Sequence, residues 1–231
     1  MYEFLFLDLD DTILDFQKAE HIALSKTLAS FGIVPTDAVC ARYSSINKAH
    51  WERLERKELT RPQVLLGRFS TLLRELGVDA DPAAIAGAYE ENLSHGHYFL
   101  PGAEDALKRL FKKYRLFLAS NGTATVQAGR LESAGIGPYF EAIFVSEEIG
   151  VDKPDPVYFQ RAFARIPGFD PRRAIIVGDS LTSDILGGKN AGIATCWVNP
   201  GHKPPHPGIR PDFEIEGLSQ LEALLEALCV I

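Results

Sequence analysis

The chain has 231 residues, 46% hydrophobic and 24% charged, with a formal net charge of −7. That length suits one large domain or a core domain with an insert, and the balance is that of a folded, water-soluble protein. The acidic excess argues against a non-specific nucleic-acid binder, and no apolar run approaches a membrane span. It leaves room for a phosphorylated substrate, since a bound cation can make one site locally positive.

In chain order, Tyr2–Leu9 is nearly all apolar, the pattern of a parallel strand buried on both faces. The start lacks a basic leader and meets acid almost at once, so it does not read as a signal peptide, and the cytoplasm is the expected compartment. From Phe16 to Tyr98 the pattern is helical. Ile22, Leu24, Leu28 and Phe31 recur at helical intervals, as do Val64, Leu65, Phe69 and Leu72–Leu73. Breaks at Gly32–Pro35, Leu59–Pro62 and Gly77–Pro82 divide it into about four helices. Thr60 and Asp81 stand as N-caps, with Pro62 and Pro82 in first turns.

After Pro101–Gly102, strands and helices alternate. Strands are expected at Arg115–Ser120, Ala142–Val145, Ala174–Val177, Ala194–Val198 and Phe213–Ile215. Helices are expected at Ala124–Ala134, Pro156–Arg165, Ser183–Ala191 and Ser219–Leu228. Alternation of this kind builds a parallel sheet with helices on both faces. The first strand belongs to that sheet, so the fold class is α/β with an inserted all-helical domain: residues 1–15 and 99–231 form the core, and 16–98 the insert. His202–Pro211, rich in proline, reads as a surface loop. Cys40, Cys196 and Cys229 match no zinc or redox spacing and read as reduced thiols.

Four clusters follow four different core strands, and in open α/β sheets the site forms at the carboxyl ends of the strands. Asp8 and Asp10 in DLDDT lie two residues apart, on one side of the strand end. Paired carboxylates repel unless a cation holds them, and Mg²⁺ favours oxygen ligands. One Asp can attack phosphorus; the other can protonate the leaving oxygen and then activate water. Ser120-Asn121-Gly122 ends the second strand and can hold phosphoryl oxygens, with Gly122 allowing close backbone approach. Lys153, in DKPDP, can stabilise the charge gathered between a carboxylate nucleophile and a phosphate. Asp179, in GDSLTSD, can complete a metal site, with Asp184 acting from behind the ligands.

DLDDT, SNG, DKPDP and GDSLTSD, in that order, resemble the four motifs of the haloacid dehalogenase-like hydrolases. The resemblance covers essentially the whole chain. It implies a Rossmann-like core with a helical cap, Asp8 as nucleophile and Asp10 as general acid/base. It gives Thr12 and Ser120 to positioning and phosphate binding, and Lys153 to charge at the nucleophile and phosphate. Mg²⁺ would be held by Asp8, the Asp10 main-chain carbonyl and Asp179, with Asp184 behind. INKAHW at 46–51, GRF at 67–69 and the stretch 185–201, with SEEIGVDKPDP, further resemble the bacterial 5′-nucleotidases that act on pyrimidine nucleotides. That implies a small-molecule phosphate ester as partner, a nucleoside 5′-monophosphate, and no nucleic-acid polymer or membrane.

Base recognition would fall to the insert, where Phe16, Tyr43, Asn47, Trp51, Arg68 and Phe69 are the candidates; an aromatic face can stack on a pyrimidine, and Asn or Arg can reach its polar edge. Phe69 and Trp51 also fit a helical core stripe. His50, His95 and His97 are not needed for acid–base work. The rivals are a sugar-phosphate or phosphoglycolate phosphatase or a phosphomutase, which would keep every catalytic residue. A halide-releasing dehalogenase would need neither Asp10 as acid nor Asp179 as ligand, and a phospho-accepting receiver module would lack so large an insert.

Overall fold

The computed structural model describes residues 2–204 and 206–228; Pro205 and Cys229 lie outside the described residues. Six strands form one parallel sheet: β1 (Phe4–Leu7), β2 (Arg115–Ser120), β3 (Ala142–Val145), β4 (Ala174–Gly178), β5 (Ala194–Val198) and β6 (Phe213–Ile215). Their spatial order is β3-β2-β1-β4-β5-β6. In register, Leu7 stands beside Leu118 on one side and Val177 on the other, so β1 is central and its end opens between those of β2 and β4. The first strand is shorter than Tyr2–Leu9, although the Asp8 N–H still bonds the Val177 carbonyl at 2.9 Å.

Period-two alternation sorts the apolar side chains onto both faces. Leu5, Leu7, Leu116, Leu118, Ile175 and Val177 pack on one face. Phe4, Phe6, Phe117, Ala119, Ala174 and Ile176 pack on the other. Between β1 and β2 come α1 (Phe16–Ser30), α2 (Asp37–Glu55), α3 (Arg61–Leu76), α4 (Pro82–Ser94) and α5 (Ala103–Leu110). The first four are the four helices expected. Thr60 caps α3, its N–H bonding Gln63 Oε1 at 2.8 Å, and Asp81 caps α4 by accepting from Ala83 N at 2.9 Å. These four helices share a hydrophobic cluster of their own, which includes Leu24, Leu28, Tyr43, Phe69, Leu72 and Tyr89 and takes in Val126 from beyond β2.

The later helices are α6 (Ala124–Ala134), α7 (Ser146–Ile149), α8 (Pro156–Phe163), α9 (Leu186–Ala191) and α10 (Leu221–Ala227). Helices α5 and α7 were not expected. Residues 183–191 were expected as one helix, but 181–185 form a π-helical turn that leads into α9. The turn is capped by Ser180, whose Oγ accepts from Ser183 N at 3.1 Å. The chain leaves the sheet after β1 and returns before α5 along two neighbouring segments, bonded antiparallel by Asp15 N to the Tyr98 carbonyl (2.7 Å) and Leu100 N to the Ile13 carbonyl (3.0 Å).

Candidate active site

Each of the four sequence clusters emerges from the carboxyl end of a strand or from the loop after one, and together they frame one cavity of ≈ 250 Å³. At its floor lies Asp8, buried at the end of β1. Lys153 Nζ donates to Asp8 Oδ1 (2.9 Å), to Asp184 Oδ1 (2.5 Å) and to the Ala119 carbonyl (2.5 Å), which occupies all three of its protons. Carboxylate oxygens of Asp8, Asp179 and Asp184 lie within 4.8 Å of one another. Asp184, expected behind the ligands, therefore stands among the clustered acids. Its Oδ2 also accepts from Ser180 N at 3.1 Å.

Asn121 is the brace between loops. Its amide donates to the Lys153 carbonyl (2.9 Å) and to Ser183 Oγ (3.1 Å), and its Oδ1 accepts from Lys153 N (2.8 Å). Ser120 Oγ accepts from Gly122 N at 3.0 Å and from Gln127 Nε2 at 2.8 Å. Glycine is required at 178: a Cβ there would stand 2.2 Å from Asp184 Oδ2.

Electrostatically the site is crowded with negative charge. Burial pushes the Asp8 carboxyl up to about 8; Lys153 pulls it down, while Asp184 and Asp10 add to the rise. Burial raises Asp179 well above the carboxylate range, helped by Asp184 and Asp8. For Lys153, burial by itself acts downward, but Asp184 and Asp8 outweigh it and hold the ammonium above its usual range. Three carboxylates against one ammonium leave two negative charges uncompensated if all are ionised.

Asp10 also lines the cavity but has its own partners. Its Oδ1 is ion-paired with Arg130 Nη1, and its Oδ2 accepts from Gln127 Nε2 at 2.8 Å. Arg130 and Gln127 were not anticipated as site residues, although both line the cavity. Their spacing was a usable signal: three residues apart on the helix after SNG, they share a face.

Thr12, expected to help position phosphate, is wholly buried and does not line the cavity, and its hydroxyl has no hydrogen-bond partner among the described residues. Asn47, expected to touch substrate, is likewise not brought to the cavity: it is buried, donates to Glu20 Oε1 (2.7 Å) and accepts from Arg68 Nη1 (3.0 Å). The physical reason is the buried Glu20 carboxylate, which needs donors where no water reaches. Tyr43 and Phe69 lie in the helical core, with ring centroids 4.9 Å apart. Phe16, Trp51 and Arg68 do line the cavity, joined by Glu55 and Glu90, which were not anticipated.

The helices also touch the loops of the site. Glu55 Oε2 accepts from Thr182 Oγ1 at 2.9 Å; burial pushes this carboxyl up to about 7, against the pull of that bond. Arg61 donates to the Asn121 and Gly122 carbonyls (3.1 and 3.0 Å) and bonds Ser146 and Asp152. Lys57 pairs with Asp155 at 2.7 Å.

Residues 2–192 match the model of the haloacid dehalogenase-like hydrolase family, and the chain belongs to that family. It is 42% identical to the HAD-hydrolase YfnB of Bacillus subtilis, over 97% of this chain and 95% of that one. The magnesium-bound crystal structure of YfnB superposes with a TM-score of 0.93 over 97% of this chain and 98% of that one. The chain is 38% identical to the pyrimidine 5′-nucleotidase PynA of Streptococcus pneumoniae, over 95% and 93% of the two chains. It is 32% identical to the pyrimidine 5′-nucleotidase YjjG of Escherichia coli, over 97% and 98%. The expected class, a hydrolase of phosphoric monoesters, stands with these relatives.

Proposed function

We propose that this chain is a Mg²⁺-dependent 5′-nucleotidase that hydrolyses pyrimidine nucleoside monophosphates through an aspartyl-phosphate on Asp8. The observation that carries the reading is the acidic floor of the cavity: Asp8, Asp179 and Asp184 gathered around Lys153. The names of PynA and YjjG, matched over nearly their whole lengths, support the leaving group.

The residues fit a magnesium ion. They offer only oxygen donors, converge within one ion's reach and, once all are ionised, carry two uncompensated negative charges, which a divalent cation would balance. Asp8, Asp179 and the Asp10 main-chain carbonyl would hold it, with Asp184 beside them. When bound, it would offset repulsion between an anionic nucleophile and an anionic phosphate.

The rest falls to the chain's own groups. Lys153 fixes the Asp8 carboxylate for in-line attack on phosphorus and draws charge from the phosphoryl oxygens. The turn at Ser120–Gly122 bounds the same cavity and is suited to hold those oxygens. Asp10 gives a proton to the departing ribose oxygen, then takes one from the water that attacks the aspartyl-phosphate. Residues 16–98 act as a cap over the core formed by 1–15 and 99–231, excluding bulk water and presenting Trp51, Arg68 and Phe16 to the nucleoside. Cys40 and Cys196 are free and buried, in keeping with a cytoplasmic protein.

Asp8→Asn tests the centre of this reading. It should abolish phosphate release from uridine 5′-monophosphate and leave the melting temperature within a few degrees or higher; retained turnover would remove Asp8 as nucleophile. A screen of nucleoside monophosphates against sugar phosphates on the wild-type protein tests the leaving group. Faster turnover of sugar phosphates would reject the nucleotidase assignment while leaving the phosphatase.

A further inference from the structure

The geometry points to Arg130 as a positioning residue that sets the orientation of the Asp10 carboxylate and ties it to both chain segments joining the sheet to helices α1–α4. The inference rests on the acid–base role proposed for Asp10 and goes beyond it, since neither the motifs nor that mechanism assigns Arg130 anything.

Arg130 is only 1% exposed, among the largest fully buried side chains of the molecule. An arginine is almost never buried so deeply without partners that need its charge. Nη1 is ion-paired with Asp10 Oδ1. Nε donates at 3.0 Å to the carbonyl of Gly96, on the returning segment. The guanidinium lies 5.7 Å from the ring centroid of Phe16, at the end of the outgoing segment. One planar group therefore touches the outgoing strand–helix crossing, the returning crossing and the acid.

Gln127, one turn earlier on α6, completes the arrangement. Its amide donates to Asp10 Oδ2 (2.8 Å) and to Ser120 Oγ (2.8 Å), linking the acid to the phosphate-holding turn. Both Asp10 oxygens are thus held, by two side chains of one helix face. A carboxylate fixed at both oxygens has its rotamer dictated by its partners. The two crossings are bonded to one another, so a shift of the helices relative to the sheet must move at least one of the groups Arg130 holds. The acid's direction is in this way coupled to the placement of the helices.

The test uses leaving-group sensitivity. A good leaving group such as 4-nitrophenolate departs without a proton, whereas a ribose alkoxide needs one. The kcat/KM value reports steps through formation of the aspartyl-phosphate, where the leaving group departs. Arg130→Ala should lower kcat/KM for uridine 5′-monophosphate by about 10- to 100-fold and that for 4-nitrophenyl phosphate by less than about 3-fold. Arg130→Lys, which keeps a charge for Asp10 but loses the fork, should recover part of the difference. In an Asp10→Asn background the Arg130→Ala effect on the nucleotide should shrink to less than about 2-fold, because the residue it acts through is gone.

Equal losses on the two substrates, or additive losses in the double variant, would overturn the inference and reduce Arg130 to a packing role. If Asp10→Asn alone fails to discriminate between the two substrates, Asp10 is not the acid, and the proposed mechanism falls together with this inference. Discrimination by Asp10→Asn without discrimination by Arg130→Ala rejects the Arg130 inference alone. Melting temperatures of Arg130→Ala and Arg130→Lys separate unfolding from lost function.

Discussion

Replacing Lys153 with methionine keeps an unbranched apolar stem, one atom shorter, and deletes the charge, which strands two buried acids. Lys153 is 1% exposed and its ammonium bridges Asp8 and Asp184, both buried. Removing one member of a buried ion pair leaves its partners uncompensated and costs about 3–5 kcal/mol. Against a total stability of about 5–15 kcal/mol, that is a large fraction. For a chain of this size it corresponds to a fall in melting temperature of about 6–20 °C. The effect carries a pH signature. Asp8 has a folded-state pKa raised from 3.8 to about 8, so the stability linked to its protonation is present below the unfolded value and is lost as pH climbs through about 8. Lys153 opposes that rise, so its removal raises Asp8 further, and the deficit of the variant should be smaller near pH 5 than near pH 8. The assay is thermal unfolding of wild type and Lys153→Met in chelator at both pH values, repeated with excess Mg²⁺. A cation bound among the three carboxylates should recover more stability in the variant than in the wild type. A variant that melts within about 2 °C of wild type in chelator near pH 8 would refute the view that Lys153 neutralises Asp8 and Asp184.

Gly178→Ala sets a Cβ 2.2 Å from Asp184 Oδ2 and 2.3 Å from its Cγ, so that carboxylate must move; kcat should fall by about 100-fold and Mg²⁺ affinity, measured by calorimetry, should weaken, and an unchanged kcat would show that Asp184 can shift without consequence. Trp51→Ala removes an aromatic wall of the cavity that Arg61 covers at 5.5 Å; KM for uridine 5′-monophosphate should rise by about 5- to 50-fold with little change for a small aliphatic phosphate, and equal effects on both would take Trp51 out of base recognition.

The strands were legible because a sheet buried on both faces leaves continuous apolar runs, and four of the five strands expected after Pro101–Gly102 match at both ends, the other extending one residue further, to Gly178. Part of the acidic floor was legible for a related reason: Asp8 and Asp179 sit where apolar runs end, whereas Asp184, expected behind them, joins them only through the π-helical turn at 181–185. The partner of Asp10 was not, because Arg130 lies 120 residues away and an ion pair over that separation has no local signature. Asn47 and Trp51 were both candidates by side-chain chemistry, an amide for a base edge and an indole for its face, and chemistry alone does not separate them. Only the packing of α1 against α2 reveals that Glu20 claims Asn47 and leaves Trp51 in the cavity. Helix α5 carries a helical pattern of its own, Ala103, Ala106, Leu107 and Leu110, in eight residues between a Pro-Gly turn and β2, and was legible though not expected.

The two halves of the cavity are held in physically different ways, and that difference bears on function. Asp8 and Asp179 stand just past strand ends, and Lys153 and Asp184 in loops braced by Asn121, with apolar packing on both faces of the sheet. Such packing resists displacement, as the attack proposed for Asp8 requires. The contacts of α2, α3 and the turn between them with the core loops are of another kind: Lys57 with Asp155, Glu55 with Thr182, and Arg61 with carbonyls and Asp152. The Lys57–Asp155 pair is exposed on its lysine side and contributes little net stability, whereas Arg61, only 12% exposed, holds the core loops from a largely buried position. Arg61 grips the carbonyls of Asn121 and Gly122, in the turn proposed to hold phosphate, so a bound phosphate that orders this turn would also order the anchor for the helices. Occupancy of the phosphate site and seating of the helices over it would then favour each other, which suits the proposed nucleotidase reaction, in which substrate must enter and water be excluded before Asp8 attacks.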